Sequence, residues 1–470
     1  MDTSSTKPRT ADVPTTTWKQ ISRLALFHPV LSLTILFWTW KSLLFYIVVG
    51  CPGLGYDTSS SLLLQKAGAA HLHMSSGLLK FVRWDSLYFI QIAERDYLFE
   101  QEWAFGYGYT RLLSNLPFYF NGTGQENRLA YIAAVGVSIS HIAHFLSVLV
   151  LHRLTQNVFG TKGNVHQAVS FIAAALHVIS PAGVFLSAPY AEPIFSLLNM
   201  VGYYTYLSAL FDEDAGRCLS RDVKFIVAGI TLMAATLVRS NGILSGCLFA
   251  YDAALGLAKI VSQGPSNINI QNIRRLCFVI MGGTIVSLGI IGPQYLAYKD
   301  YCITATAPRP WCKQLIPSIY SWVQTHYWGV GFLKYWTVSN LPLFCVASPM
   351  LVLLFQSSRI ALTKTLTEWM WPVLHDDQVP TIYLRESFLV RLAIAQGLLA
   401  ILAVTHYHVQ IINRISSGYP LWYWYILSLA FEPRKGVSSG RCDLFHAVTQ
   451  IMAAYALVQA VLFGSFLPPA

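Results

Sequence analysis

The chain has 470 residues, of which 54% are hydrophobic and only 11% charged, and its mean hydropathy is +0.48. A soluble globular domain carries about 25% charged residues, so the composition excludes one and marks an all-α polytopic membrane protein. The net charge of +10 excludes a nucleic-acid partner as well, because Lys and Arg stand at the ends of apolar stretches, where they orient spans, and form no basic block.

Residues 1–23 are polar, with Lys7, Arg9 and Lys19, and lack the apolar core of a cleavable leader. They are expected to form a disordered cytosolic tail ahead of a single integral membrane catalytic domain over 24–470. Apolar stretches approaching the length of a span, about 20 residues, follow at 24–50, 129–152, 167–187, 193–211, 223–238, 242–258, 276–298, 339–357, 387–405, 419–431 and 444–464. The pattern predicts a bundle of about eleven transmembrane helices, within a range of eight to twelve. The short stretches around 223–258 and 419–431 also fit hairpins or re-entrant pieces. No strong internal repeat is present, which weighs against the repeated architecture of many secondary transporters.

With a cytosolic N-terminus, Lys and Arg favour the cytosolic connections over the short opposite ones by about three to one. The segments near 51–128, 186–193, 299–338 and 406–418 then share the luminal side. The one N-glycosylation sequon, Asn121-Gly122-Thr123, falls on that side. So do Cys302 and Cys312, the only two cysteines that read as a disulfide pair. No Cys or His spacing resembles a metal site, and no metal is expected.

Four luminal stretches carry chemistry. The first runs from Leu78 to Ala93, where apolar residues recur at helical spacing beside Lys80, Arg83 and Asp85. It predicts an amphipathic interfacial helix with Asp85 at headgroup depth next to Trp84, followed by Tyr97 and Glu100. Such a carboxylate fits a general base, and from spacing alone it fits better an ion pair with Arg83 or Arg95. The second is Ser180-Pro181-Ala182 through Ser187-Ala188-Pro189-Tyr190-Ala191-Glu192-Pro193. Its prolines free backbone groups that at membrane depth must line a cavity or pack on protein, and a tight hairpin between spans is the other reading. The third spans 300–340, where Trp311, Tyr320, Trp322, Tyr327, Trp328 and Trp336 alternate with Gln and Asn. That composition suits a sugar-stacking wall, with Trp311, Tyr327 and Trp328 foremost, and suits an aromatic membrane belt as well. The fourth, His406-Tyr407-His408-Val409-Gln410 with Arg414, reads as a phosphate clamp, and Arg239-Ser240-Asn241-Gly242 is a smaller patch of the same kind.

Taken together, these strings resemble the PIG-V family, the glycosylphosphatidylinositol (GPI) mannosyltransferase 2 enzymes. The resemblance runs through Arg83-Trp84-Asp85 with Tyr88 and Ala93, then Tyr97, Glu100 and Ala104-Phe105. It continues through Ser180–Glu192, Arg239–Gly242, Pro310-Trp311-Cys312, Tyr327–Phe332 and His408-Val409-Gln410 with Arg414. It therefore covers nearly the whole chain in order. Asp96-Tyr97 and Gly106-Tyr107-Gly108-Tyr109 look like a fungal branch.

The resemblance implies a C-type glycosyltransferase bundle in the endoplasmic-reticulum membrane with a luminal site. The implied reaction adds the second mannose, α-1,6-linked, to the mannosyl GPI precursor from dolichol-phosphate-mannose, inverting the anomeric centre without a cofactor. Asp85 matches the functional carboxylate of this superfold. Arg83, Trp84, Glu100, Tyr190 and Glu192 would support it or bind the acceptor, and Arg239, His408 and Arg414 would hold the donor phosphate. A small accessory membrane subunit is left open as a partner. The rival readings are another dolichol-phosphate-sugar transferase of N-glycan or protein glycosylation, a lipid or solute transporter, and a purely structural subunit. For a transporter the intramembrane cations to weigh are Lys41 and Arg391.

Overall fold

A computed structural model describes residues 23–52, 55–60, 75–119, 128–161, 163–263, 269–366, 382–430 and 440–468. The expected N-terminal tail (except Arg23) and the sequon at Asn121 lie outside the described residues. Within them the secondary structure is entirely helical, as a bilayer with no water to satisfy backbone groups requires.

The longer helices, in chain order, are α1 (Pro29–Gly50), α2 (Asp85–Arg95), α3 (Tyr107–Tyr119), α4 (Arg128–Phe159), α5 (Asn164–Val178), α6 (Glu192–Asp214) and α7 (Cys218–Val238). They continue with α8 (Cys247–Gln263), α9 (Ile270–Tyr298), α10 (Ile319–His326), α11 (Leu341–Thr363), α12 (Ile382–Thr405), α13 (Leu421–Leu429) and α14 (Gly440–Gly464). Helix α6 sits centrally, packed on α4 and α7, and α7 packs in turn on α9.

Eight helices among the described residues are long and apolar enough to span a membrane: α1, α4, α6, α8 with the turn before it, α9, α11, α12 and α14. Eight lies inside the expected range of eight to twelve and does not confirm eleven, because the other three stretches fall short of that length or apolarity, each for its own reason. Helix α5 stops at Val178 because Pro181 and Pro189 break the chain beyond it. Helix α7 carries Arg221, Asp222 and Lys224 near its start. Helix α13 has nine residues, and its side chains from Leu421 to Trp424 are wholly buried, so it is an internal plug.

The expected helix over 78–93 is also divided. A short turn of helix ends at Leu79, and α2 starts only at Asp85. Between them Trp84 adopts φ 55°, a conformation that costs a bulky residue about 1–3 kcal/mol. Helix α2 then buries Phe89, Ile90, Ile92 and Ala93 against its neighbours, α3 and α4. It is a protein-packed helix with one open edge.

Polar groups inside the bundle are partnered to one another. Lys41 of α1 donates to the Leu186 carbonyl and the Ser187 hydroxyl, both at 2.8 Å, and so satisfies backbone freed by the proline breaks. Asp252 of α8 takes Arg391 of α12, the Tyr206 hydroxyl of α6 and Arg275 of α9. Four helices therefore meet on one buried carboxylate. Removing one partner of such a cluster leaves uncompensated charge at a cost of about 3–5 kcal/mol. Asp252→Ala is accordingly expected to lower the thermal unfolding temperature of the detergent-solubilised protein markedly, whereas Glu213→Ala, half exposed at the edge of the same network, shifts it far less.

Candidate active site

The four stretches singled out in the sequence converge at one end of the bundle. They enclose a cavity of about 730 Å³, within the range that takes a drug-sized or sugar-phosphate ligand. Its lining includes Trp84, Asp85, Arg239, Tyr320, Gln324, Trp328, Tyr407, His408, Gln410 and Arg414. These residues come from parts of the chain more than 300 positions apart.

Asp85 is the first residue of α2, and its side chain is 38% exposed. Its position on the first turn places a carboxylate where the helix dipole is favourable, and the left-handed Trp84 just before it turns the helix start toward the cavity. Arg414 Nη2 donates to Asp85 Oδ2 at 3.0 Å. The same guanidinium sends Nε to within 3.5 Å of Glu192 Oε1 and lies over the rings of Phe185 and Tyr190, at 4.5 and 5.6 Å from their centroids. Arg239 Nη1 approaches the same Glu192 oxygen at 2.8 Å. The order is therefore acid, base, acid, base: Asp85, Arg414, Glu192, Arg239.

Arg414 holds its charge firmly. Burial works against the cation, but Asp85 and Glu192 outweigh it, and its pKa is raised above the usual guanidinium range. His408 moves the other way. Burial depresses the imidazole below its ordinary value, Arg414 adds to this and Asp85 opposes it, so at neutral pH His408 faces the cavity as a neutral hydrogen-bonding ring. Tyr190 is pushed up by burial and by the nearby Asp85. It stays a phenol, and its hydroxyl donates to the Arg83 carbonyl at 2.9 Å.

The turn that carries Arg414 is held from below by polar side chains. Ser196 donates to the Ser417 carbonyl at 3.1 Å, Asn199 to the Gly418 carbonyl at 2.9 Å, and Trp422 to the Ser416 carbonyl at 2.9 Å. A Cβ on Gly418 would come within 2.5 Å of the Phe195 ring, so only glycine lets the turn press onto α6. His177 ties this layer together through Tyr423 and Ser147, each at 2.8 Å.

The match to known proteins is extensive. The family model described as Mannosyltransferase (PIG-V) covers residues 31–470. The chain belongs to the PIG-V mannosyltransferase family. It is 50% identical to "GPI mannosyltransferase 2" of Aspergillus oryzae, over 94% of this chain and 96% of that protein. It is 47% identical to the protein of the same name from Aspergillus fumigatus, over 94% of each, and 29% identical to the Saccharomyces cerevisiae one, over 94% of this chain and 100% of that protein. Among solved structures it is similar to the archaeal oligosaccharyltransferase AglB from Archaeoglobus fulgidus, in complex with an inhibitory peptide and a dolichol-phosphate. The TM-score there is 0.41 with 14% identity, over 86% of this chain and 55% of that one.

In this mannosyltransferase the residues expected from sequence fall into three groups. Trp84, Asp85, Arg239, Trp328, His408 and Arg414 line the cavity. Glu192, with no exposed side-chain surface, lies behind the two arginines as their shared counter-ion. Arg83 is buried with its guanidinium 4.4 Å from the Phe466 ring centroid, so it braces the turn before Asp85 from outside the cavity.

Glu100, Trp311 and Tyr327 form a separate cluster. Glu100 accepts from Trp311 Nε1 at 3.1 Å, Trp322 Nε1 at 3.3 Å and the Tyr327 hydroxyl at 3.0 Å, with Arg309 beside it at 3.3 Å. This cluster, with the Cys302–Cys312 disulfide, clamps the 299–338 segment onto the segment before α3. Asp85 pairs with neither Arg83 nor Arg95, since Arg95 binds Glu102 at 2.6 Å.

Tyr320, Gln324, Tyr407 and Gln410 were not singled out as site residues by sequence, yet they line the cavity. Their only signal was membership of the two polar, aromatic-rich stretches.

The fork of Arg414 reaches two carboxylates at once, which a lysine ammonium cannot do. Losing one charge-assisted hydrogen bond is worth about 1.5–3 kcal/mol, or about 10- to 150-fold in rate where the bond is kept in the transition state. Arg414→Lys is expected to reduce the turnover number of mannose transfer by that factor while the protein elutes unchanged from size-exclusion chromatography.

Proposed function

We propose that the protein is the inverting enzyme that adds the second mannose, in α-1,6 linkage, to a GPI precursor, using dolichol-phosphate-mannose in the endoplasmic-reticulum membrane. Asp85 acts as the catalytic base in a C-type glycosyltransferase bundle whose cavity opens to the lumen. Relatives named GPI mannosyltransferase 2, matched over 94% of the chain, support the acceptor class. The single observation that carries the chemistry is the half-exposed Asp85 carboxylate in the cavity wall, 3.0 Å from a buried, permanently charged Arg414.

The reaction asks for what that pair offers. The acceptor hydroxyl of the first mannose attacks the anomeric carbon, and its proton passes to an Asp85 carboxylate oxygen. The anomeric C–O bond to phosphate breaks, and its electron pair leaves on the dolichyl phosphate. One displacement inverts the centre and needs no enzyme nucleophile, unlike a retaining double displacement. The leaving phosphate gains a negative charge as the bond breaks, so fixed cations stabilise the transition state more than the ground state. Arg414 and Arg239 supply that charge, neutral His408 supplies a hydrogen bond, and Trp328 with Trp84 supplies ring faces for a sugar. With two guanidinium groups at the phosphate position the reading requires no divalent ion.

A transporter reading would want ionisable groups free along the spans. Lys41 and Arg391 are instead engaged by internal partners, which favours the enzyme.

The test is reconstitution of the purified protein with a monomannosylated GPI precursor and dolichol-phosphate-mannose. A dimannosylated product with an α-linkage is expected, at a rate unaffected by chelators, and nucleotide-mannose in place of the lipid donor gives none. Asp85→Asn removes the base and is expected to lower transfer by about 10²- to 10⁴-fold with the unfolding temperature preserved. Wild-type turnover in that variant would remove Asp85 from the mechanism.

A further inference from the structure

The segment between α9 and α11 carries large apolar side chains on its outer surface although it lies between spans. Leu315 is 99% exposed, Ile316 78%, Phe332 66% and Trp336 57%. Contiguous exposed apolar surface of this kind marks a contact with another apolar phase. Two sets of hydrogen bonds fix the depth at which it sits.

At one end, Trp336 Nε1 donates to the Val404 carbonyl at 2.8 Å, and Leu333 N to the Thr405 carbonyl at 2.7 Å. Val404 and Thr405 are the last residues of the spanning helix α12. At the other end, the Ser318 hydroxyl and the Tyr320 amide both donate to Gln294 Oε1, at 3.1 and 3.3 Å. Gln294 lies about one turn before the end of α9, inside the candidate span Ile270–Ile303. Ile316 is two residues from Ser318 and so stays within about 7 Å of that level.

Both apolar patches are therefore pinned to the ends of spans, where the hydrocarbon gives way to headgroups over several ångströms. The neighbours suit that depth. The Trp336 ring keeps its N–H bonded while exposing its apolar body, and exposed Lys334 stands between the apolar residues, long enough to reach toward water. The exposed surface also continues directly into the outward face of α11, whose first residue Leu341 is exposed.

We propose that the tip at Leu315 and Ile316 and the strap from Phe332 to Trp336 insert into the lipid leaflet on the cavity side, as an interfacial anchor separate from the spans. Between these two immersed points runs α10, which contributes Tyr320 and Gln324 to the cavity wall, with Trp328 just after it. Anchoring both ends of that wall in lipid fixes the cavity mouth at headgroup level. The inference concerns the membrane as partner and stands whichever sugar is transferred.

The experiment uses the full chain in nanodiscs, with the six cysteines other than Cys302 and Cys312 changed to serine and the Cys302–Cys312 bridge kept. A fluorescent label is attached at Ile316→Cys or Phe332→Cys. Reference labels are placed at Ile142→Cys, on the exposed face of the spanning helix α4, and at Ala215→Cys, in the exposed turn between α6 and α7. Labels at 316 and 332 are expected to be quenched by nitroxide lipids to within about twofold of the Ile142 reference, and to escape aqueous iodide. Iodide quenching like that at Ala215 would overturn the proposal. So would shielding from both quenchers, which would mean that a protein surface covers the patches. Because the readout is fluorescence, failure of mannose transfer in the reconstituted assay would count against the proposed reaction and leave this result unaffected.

Discussion

Arg414 lodged between Asp85 and Glu192 is the contact on which the arrangement of this end of the bundle depends. A guanidinium taken out of water is costly unless it is paired and hydrogen-bonded, and Arg414 sits on a short irregular turn, not on a long helix that would hold it in place. Its position is secured twice. The two carboxylates fix the charged head, and Ser196, Asn199 and Trp422 fix the carbonyls of the turn that follows. The proline-broken segment before α6 serves the same end, because it stops α5 early and lets Tyr190 and Glu192 face the guanidinium.

The sequence made the scaffold and the ingredients legible, and left the pairings hidden. Hydropathy marks each of the eight long apolar helices, because a span must be apolar for its whole length. The other three stretches fall short for different reasons: α5 and α13 are short and bury most of their apolar residues in protein, whereas α7 exposes Leu219, Val223, Val227 and Ile230 and misses only because Arg221, Asp222 and Lys224 crowd its start. The sidedness derived from Lys and Arg put the four polar stretches on one face, and the cavity gathers all four. Spacing along the chain says nothing of partners 329 positions apart such as Asp85 and Arg414. For the same reason Trp311 and Tyr327 read as sugar-facing while they in fact bind Glu100. Asp252 drew no notice at all: one acid in an apolar stretch gains meaning only when Arg391 and Tyr206 are seen against it.

The interior polar groups divide by task. Those midway through the bundle, Lys41, Asp252, Arg391 and the layer around His177, are bonded to neighbours within the protein and spend their polarity on register between helices. Groups at the cavity end are left half open. Asp85 has one partner and faces free volume, and His408 is neutral and lines the same space. Specificity of packing and readiness for chemistry thus occupy different depths of one membrane domain.

Two acids and two arginines make the chain of charges formally neutral, and its inner end is closed while its outer end is open. Glu192, sealed behind both arginines, holds their guanidinium groups to the cavity wall, while Arg414 carries more N–H donors than the two it turns toward Asp85 and Glu192. In the proposed reaction the donor phosphate and the carboxylate that takes the acceptor proton would therefore share one guanidinium, which keeps the leaving group and the base in a fixed relation.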